Sequence, residues 1–132
     1  MLRVLIVEDE KPIRELLDDF LSDEGFDTLL AENGQRGIEL ARAEQPDLVL
    51  MDLMLPLLDG FAAMRALKED PETRKIPVVV MSANSVLLLH LSDQLLADET
   101  LRKPFDLDQV LHVIQSRIGI TSPDEFAEVL PG

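Results

Sequence analysis

Four short apolar runs punctuate the chain: LRVLIV (2–7), FDTLLA (26–31), DLVLM (47–51) and IPVVVM (76–81), each bounded by polar or turn-forming residues. Runs of this length suit strands covered on both faces, as in a parallel sheet. Between them the period becomes helical. In KPIRELLDDFLSDEG (11–25), Ile13, Leu16, Leu17, Phe20 and Leu21 recur at helical spacing, and Gly25 provides the stop. NGQRGIELARAEQP (33–46) has Asn33 as its cap, Ile38, Leu40 and Ala41 facing inward, and Pro46 at its end. GFAAMRALKED (60–70) supplies a third helix, and DLDQVLHVIQSRIG (106–119) a last one, opened by Asp106 and closed at Gly119. A fifth strand is expected at 98–102, although DETLR is a poor strand on propensity alone.

Strand followed by helix, repeated along the chain, predicts an α/β fold: a parallel sheet with helices on both faces, joined by right-handed crossovers. In such sheets the ligand site lies beyond the carboxyl ends of the strands. Glu8, Asp9 and Glu10 follow the first strand, Asp52 the third, Ser82 the fourth and Lys103 the fifth. One edge of the sheet therefore collects several acids, a hydroxyl and an amine.

Composition narrows the field. At 132 residues, 46% of them hydrophobic, the chain fits one globular domain. No apolar run is long enough for a membrane span, and the first strand meets acids too soon for a signal peptide, so a cytoplasmic location is expected. The absence of cysteine removes disulfides, thiolate metal sites and cysteine nucleophiles. A formal charge of −14 argues against a direct grip on nucleic acid or anionic lipid, since no basic stripe is available to displace counterions.

Crowded carboxylates resist ionising unless a divalent cation neutralises them, and oxygen donors without histidine or thiol favour Mg²⁺. A carboxylate beside such a cation and a fixed ammonium can attack phosphorus. Asp52 would become an aspartyl phosphate, with Ser82 and Lys103 reaching the phosphoryl oxygens. Singly, each of these residues has a plainer reading as a turn acid, a turn hydroxyl or a surface lysine. Glu10 reads as an exposed acid capping the first helix, and His90 and His112 stand apart from the acids.

Four motifs taken together resemble the receiver domain of bacterial two-component response regulators over about residues 2–118: VLIVEDE with Glu8-Asp9, DLVLMDLMLPLLDG with Asp52, Pro56 and Gly60, IPVVVMSA with Ser82, and LRKPF with Lys103, Pro104 and Phe105. The resemblance implies a CheY-like, flavodoxin-like sheet of order 2-1-3-4-5 in a three-layer α/β/α arrangement. It implies Asp52 as phosphoacceptor and Glu8, Asp9, Asp52 and the backbone carbonyl of Met54 as ligands of Mg²⁺ or Mn²⁺. It assigns Ser82 as the switch hydroxyl, Lys103 as the phosphate-pairing lysine, and a cis bond between Lys103 and Pro104. A histidine kinase or phosphotransfer protein is the implied phosphodonor and a further protein the target, with no enzymatic role beyond the domain's own phosphorylation and dephosphorylation.

The chain departs from the family pattern where the output would be read. Thr100 stands where an aromatic is usual before KP, and the Ser82–Lys103 interval is short. The intervening SVLLLHLSDQLLADE predicts a shortened or atypical fourth helix. Leu88, Leu91 and Leu95 share one of its faces, while Val86, Leu89, Leu96 and Ala97 can form the other. The first set suggests a partner surface, or a homodimer through this helix, the fifth strand and the last helix. Residues 1–118 are expected to form the receiver and 119–132 a tail too short for an output domain. Two alternatives are a receiver-like binding module independent of phosphorylation and a Mg²⁺-dependent phosphohydrolase; for the latter, Met54 occupies the place of the usual second acid.

Overall fold

The computed structural model describes residues 2–53, 60–83, 97–103 and 106–118, with the backbone alone at position 61. The Met54 carbonyl, the Leu88, Leu91 and Leu95 face, the predicted fourth helix over most of its length, the Lys103–Pro104 bond and the 119–132 tail lie outside the described residues.

Five strands, β1 (Arg3–Val7), β2 (Asp27–Ala31), β3 (Leu48–Asp52), β4 (Val78–Ser82) and β5 (Glu99–Arg102), form one parallel sheet of order β2-β1-β3-β4-β5. The three most apolar runs became the three central strands, as burial on both faces requires. The edges carry the polar sequence. Glu99, Thr100 and Arg102 tolerate strand conformation because β5 has a neighbour on one side only, and Leu101 alone in it is buried. Tertiary pairing with β4, from Val79↔Glu99 to Ser82↔Arg102, overrides the weak propensity of DETLR.

Successive strand residues point to opposite faces and build two cores. Leu5, Val7, Val49, Met51, Val78 and Val80 pack with Ala41 of α2 (Gly34–Glu44) and with Ala63, Met64 and Leu67 of α3 (Gly60–Glu69). On the other face, Val4, Ile6, Leu48, Leu50, Val79 and Met81 meet Leu17 and Leu21 of α1 (Lys11–Asp23) and Val110 and Ile114 of the 107–118 helix (Leu107–Ile118). The result is the expected α/β/α stack. The apolar stripe of α1 is wider than the surface it covers, which leaves Leu16 54% exposed.

Local chemistry sets the helix ends. Asn33 accepts the Arg36 N–H at 2.8 Å to start α2, and Gln45 in the left-handed region ends it before Pro46. Asp106 and Gln109 cap the last helix reciprocally, each side chain accepting the other's backbone N–H. Glu10 occupies the cap position of α1 but makes no side-chain cap; the first turn carries Pro12 instead.

Among the described residues the most constrained glycine is Gly60, which opens α3 and donates its N–H to the Leu53 carbonyl at 3.1 Å. A Cβ there would collide with the Asp52 carbonyl oxygen and stand 2.5 Å from Leu53 Cα, so the helix start rests directly on the end of β3. Gly60→Ala is expected to cost about 3 kcal/mol or more, since backbone on both sides must move. Gly25→Ala is expected to cost roughly 1 kcal/mol, because only its positive φ is penalised and the added methyl meets nothing nearby. Urea denaturation of both variants checks the order.

Candidate functional site

Parallel pairing brings the carboxyl ends of β1, β3, β4 and β5 to one edge. Val7 lies beside Met51 and the Glu8 N–H continues the ladder onto the Ala31 carbonyl at 3.0 Å, so Glu8 emerges next to Asp52. Asp52 and Ser82 are the last residues of their strands, one step earlier than the sequence pattern places them. The Lys103 N–H donates to the Ser82 carbonyl at 2.9 Å, which sets the lysine immediately beyond β5. Ser82, Asp52 and Glu8 are buried, while Asp9 is exposed at the rim.

At the centre the Lys103 ammonium donates to Asp52 Oδ2 at 2.9 Å and to Glu8 Oε1 at 3.2 Å. Glu8 Oε2 also accepts the Glu10 N–H at 3.3 Å. Burial pushes the Glu8 carboxyl up to about 7, helped by its hydrogen bond to Asp52 and by the charge there; Lys103 and the Glu10 amide act the other way. Burial by itself would lower the Lys103 pKa, but its hydrogen bond to Asp52 and the two carboxylate charges outweigh that and raise it above the ordinary lysine value. The lysine is therefore a fixed cation at any physiological pH.

Glu8, Asp9 and Asp52 each bring a carboxylate oxygen to within 4.8 Å of the other two. An octahedral cation with bonds of about 2.1 Å holds ligand oxygens up to about 4.2 Å apart. Small side-chain adjustments thus suffice, and the all-oxygen donor set suits Mg²⁺. The chemistry also fits: Glu8 and Asp52 share one ammonium, a balance that leaves room for further positive charge.

Of the residues singled out in the sequence, Glu8, Asp9, Asp52 and Lys103 come together, with Ser82 at the end of the adjoining strand. Thr100 sits half-buried in β5 opposite Val80, away from the acids. His112 is exposed on the last helix. Sequence reasoning missed Arg14, whose guanidinium donates to the backbone carbonyls of Glu8 at 2.8 Å and Asp9 at 3.3 Å. Its place on the polar side of α1 gave no signal of this.

Known proteins bear on this site. The family model for the response regulator receiver domain matches residues 4–115. The DNA-binding dual master transcriptional regulator RpaA of Synechocystis sp. is 38% identical over 126 residues, covering 92% of this chain and 51% of RpaA. Sporulation initiation phosphotransferase F of Bacillus subtilis is 33% identical over 121 residues, covering 91% and 96%. The chain thus spans about half the length of RpaA and nearly all of the Bacillus protein. Among solved structures, the receiver domain of the Pseudomonas aeruginosa sensor histidine kinase PA1611, with a magnesium ion coordinated in its active-site cleft, superposes with a TM-score of 0.81 at 27% identity, over 90% of this chain and 98% of that one.

Glu8 predicts a pH dependence in metal-free buffer. The folded protein holds a proton on Glu8 up to about pH 7, whereas an ordinary glutamate releases it near 4.5. Between those values the folded state binds more protons than the unfolded one, so the Glu8 contribution makes stability fall as pH rises across that window and level off above it. The full effect is on the order of 3 kcal/mol. Urea titrations in EDTA at several pH values are expected to show Glu8→Gln gaining on the wild type as pH rises, with saturating Mg²⁺ narrowing the gap.

Proposed function

The chain belongs to the response regulator receiver domain family of two-component signalling, and from that premise we propose that Asp52 is its phosphoacceptor. The observation that carries this reading is the buried Asp52 carboxylate at the end of β3, with the Lys103 ammonium at 2.9 Å and the carboxylates of Glu8 and Asp9 beside it. Glu8 also bonds to Lys103, at 3.2 Å, but burial holds a proton on its carboxyl up to about pH 7, which makes it the poorer nucleophile.

An Asp52 carboxylate oxygen attacks the phosphorus of a phosphohistidine on a histidine kinase or phosphotransfer protein. The phosphorus–nitrogen bond breaks, and histidine leaves with its electron pair. A Mg²⁺ or Mn²⁺ ion held by Glu8, Asp9, Asp52 and the Met54 carbonyl would neutralise the acids and the charge on the phosphoryl oxygens. Lys103, already bonded to Asp52, pairs with one phosphoryl oxygen as the charge moves onto that group. Ser82, at the end of the neighbouring strand, donates its hydroxyl to another. Burial of Glu8 and Asp52 keeps bulk water from diluting these interactions.

Phosphorylation adds charge and acceptor oxygens that draw Ser82 and Lys103, and through them the ends of β4 and β5. Thr100 has no aromatic ring to swing, so the readout passes from Ser82 into the 85–97 segment with Leu88, Leu91 and Leu95. That surface would bind a downstream protein or a second copy of the chain. In this reading residues 1–118 act as a cytoplasmic signalling domain, 119–132 form a tail, and the only chemistry catalysed is the domain's own phosphorylation and dephosphorylation.

Intact mass after incubation with acetyl phosphate tests the assignment. The wild type is expected to gain one phosphoryl group only with Mg²⁺, and Asp52→Asn none. Lys103→Met is expected to slow the gain roughly ten- to a hundredfold, the loss of one charge-assisted contact. Ser82→Ala is expected to accept phosphate yet fail to change partner binding. No gain in the wild type, despite measurable Mg²⁺ binding and a short quench, would favour a binding module independent of phosphorylation.

A further inference from the structure

The turn that carries Glu8 and Asp9 is held from outside the acid cluster. Arg14 lies one turn into α1, where its own N–H bonds to the Glu10 carbonyl at 2.9 Å. Its guanidinium turns back and gives Nη1 to the carbonyls of both acids, at 2.8 and 3.3 Å. Glu8 is thereby fixed on two sides, its N–H by β2 and its C=O by Arg14. Asp9 has less support. It is exposed, and among the described residues its one hydrogen bond comes from Arg14. Nor, among the described residues, does any carboxylate lie within ion-pair distance of Arg14, so its role here is to hold backbone.

We propose that Arg14 is a positioning residue for the divalent cation: it clamps the Glu8–Asp9 turn so that both carboxylates face Asp52. This rests on reading those acids as cation ligands. Charge and position make opposite predictions. A guanidinium beside a cation site repels the cation, so removing it should tighten binding if charge dominates. Removing a clamp should weaken binding, because the exposed Asp9 must then be ordered by the ion itself. A lysine would keep the charge, but its ammonium sits on a stem about one atom shorter, so it would not reach the position from which Nη1 meets both carbonyls.

Calorimetric titration of Mg²⁺ into the wild type, Arg14→Met and Arg14→Lys decides between them, with metal-free urea denaturation showing that each variant is folded. The expected result is affinity lower by roughly tenfold in both variants, the scale of groups that support metal ligands. The Mg²⁺ concentration needed for half-maximal phosphorylation by acetyl phosphate should rise in step, with the plateau unchanged. Binding by Arg14→Met as tight as or tighter than wild type, or wild-type affinity in Arg14→Lys, would overturn the clamp while leaving the cation site standing. Failure of the wild type itself to bind Mg²⁺ would overturn both. Should Arg14→Met not fold, Arg14→Lys carries the same decision.

Discussion

Two carboxylates buried around one ammonium set the terms for the rest of the molecule. Glu8 and Asp52 are nearly inaccessible, and both bond to Lys103. Stripping the ammonium from a buried cluster of this kind typically costs about 3–5 kcal/mol, because the carboxylate charge left behind loses its counter-ion and is poorly hydrated. The acids stand on adjacent strands and the lysine two strands further along the sheet, so the balance holds only while the strand register holds. Even then it is incomplete: burial first, and the neighbouring Asp52 second, keep a proton on Glu8 to about pH 7. A site in that condition has an electrostatic use for a further cation, and below about pH 7 a cation held by Glu8 would displace its proton.

The scaffold meets this demand with hydrophobic burial. Each central strand is covered on both faces, and two separate cores grip alternate residues of the same strand. A one-residue slip would exchange the two faces and move a carboxylate into a core, so burial fixes the register as firmly as the backbone ladder does. Gly60 extends that control to the end of β3, since α3 begins in contact with the Asp52 backbone. At the opposite end of the sheet, Asp98 accepts both the Lys68 ammonium and the Val78 N–H, which pins the start of β5 to β4. Lys103 emerges from a strand anchored at both ends.

Rigid strands and adjustable ends give the site its character. Ser82 and Lys103 meet through a backbone hydrogen bond at the place where β4 and β5 finish. The acids across from them sit on a turn that Arg14 holds through carbonyls, leaving the carboxylates able to reorganise around an incoming charge. A group that binds there can bias the strand ends without disturbing either core, as a switch with states a few kcal/mol apart requires.

Much of this was legible in the sequence, for physical reasons. Apolar runs of five or six residues between helical periods can satisfy their backbone and bury their side chains in few ways, so the α/β class, the strand ends and the residues gathered at one edge followed from pattern. Asn33 and Asp106 announced their helix starts because capping is local chemistry. Strand β5 was expected against its own propensity, and only pairing with β4 accounts for it. What the tertiary structure decided depends on how the elements meet in space: that Lys103 bonds to both Glu8 and Asp52, that burial lifts the Glu8 pKa, that Leu16 stays exposed on an apolar stripe, that Gly60 admits no methyl, and that Arg14 reaches the acid turn. None of these has a sequence signature, because each depends on where side chains and element ends meet in space and not on the period of the residues along the chain.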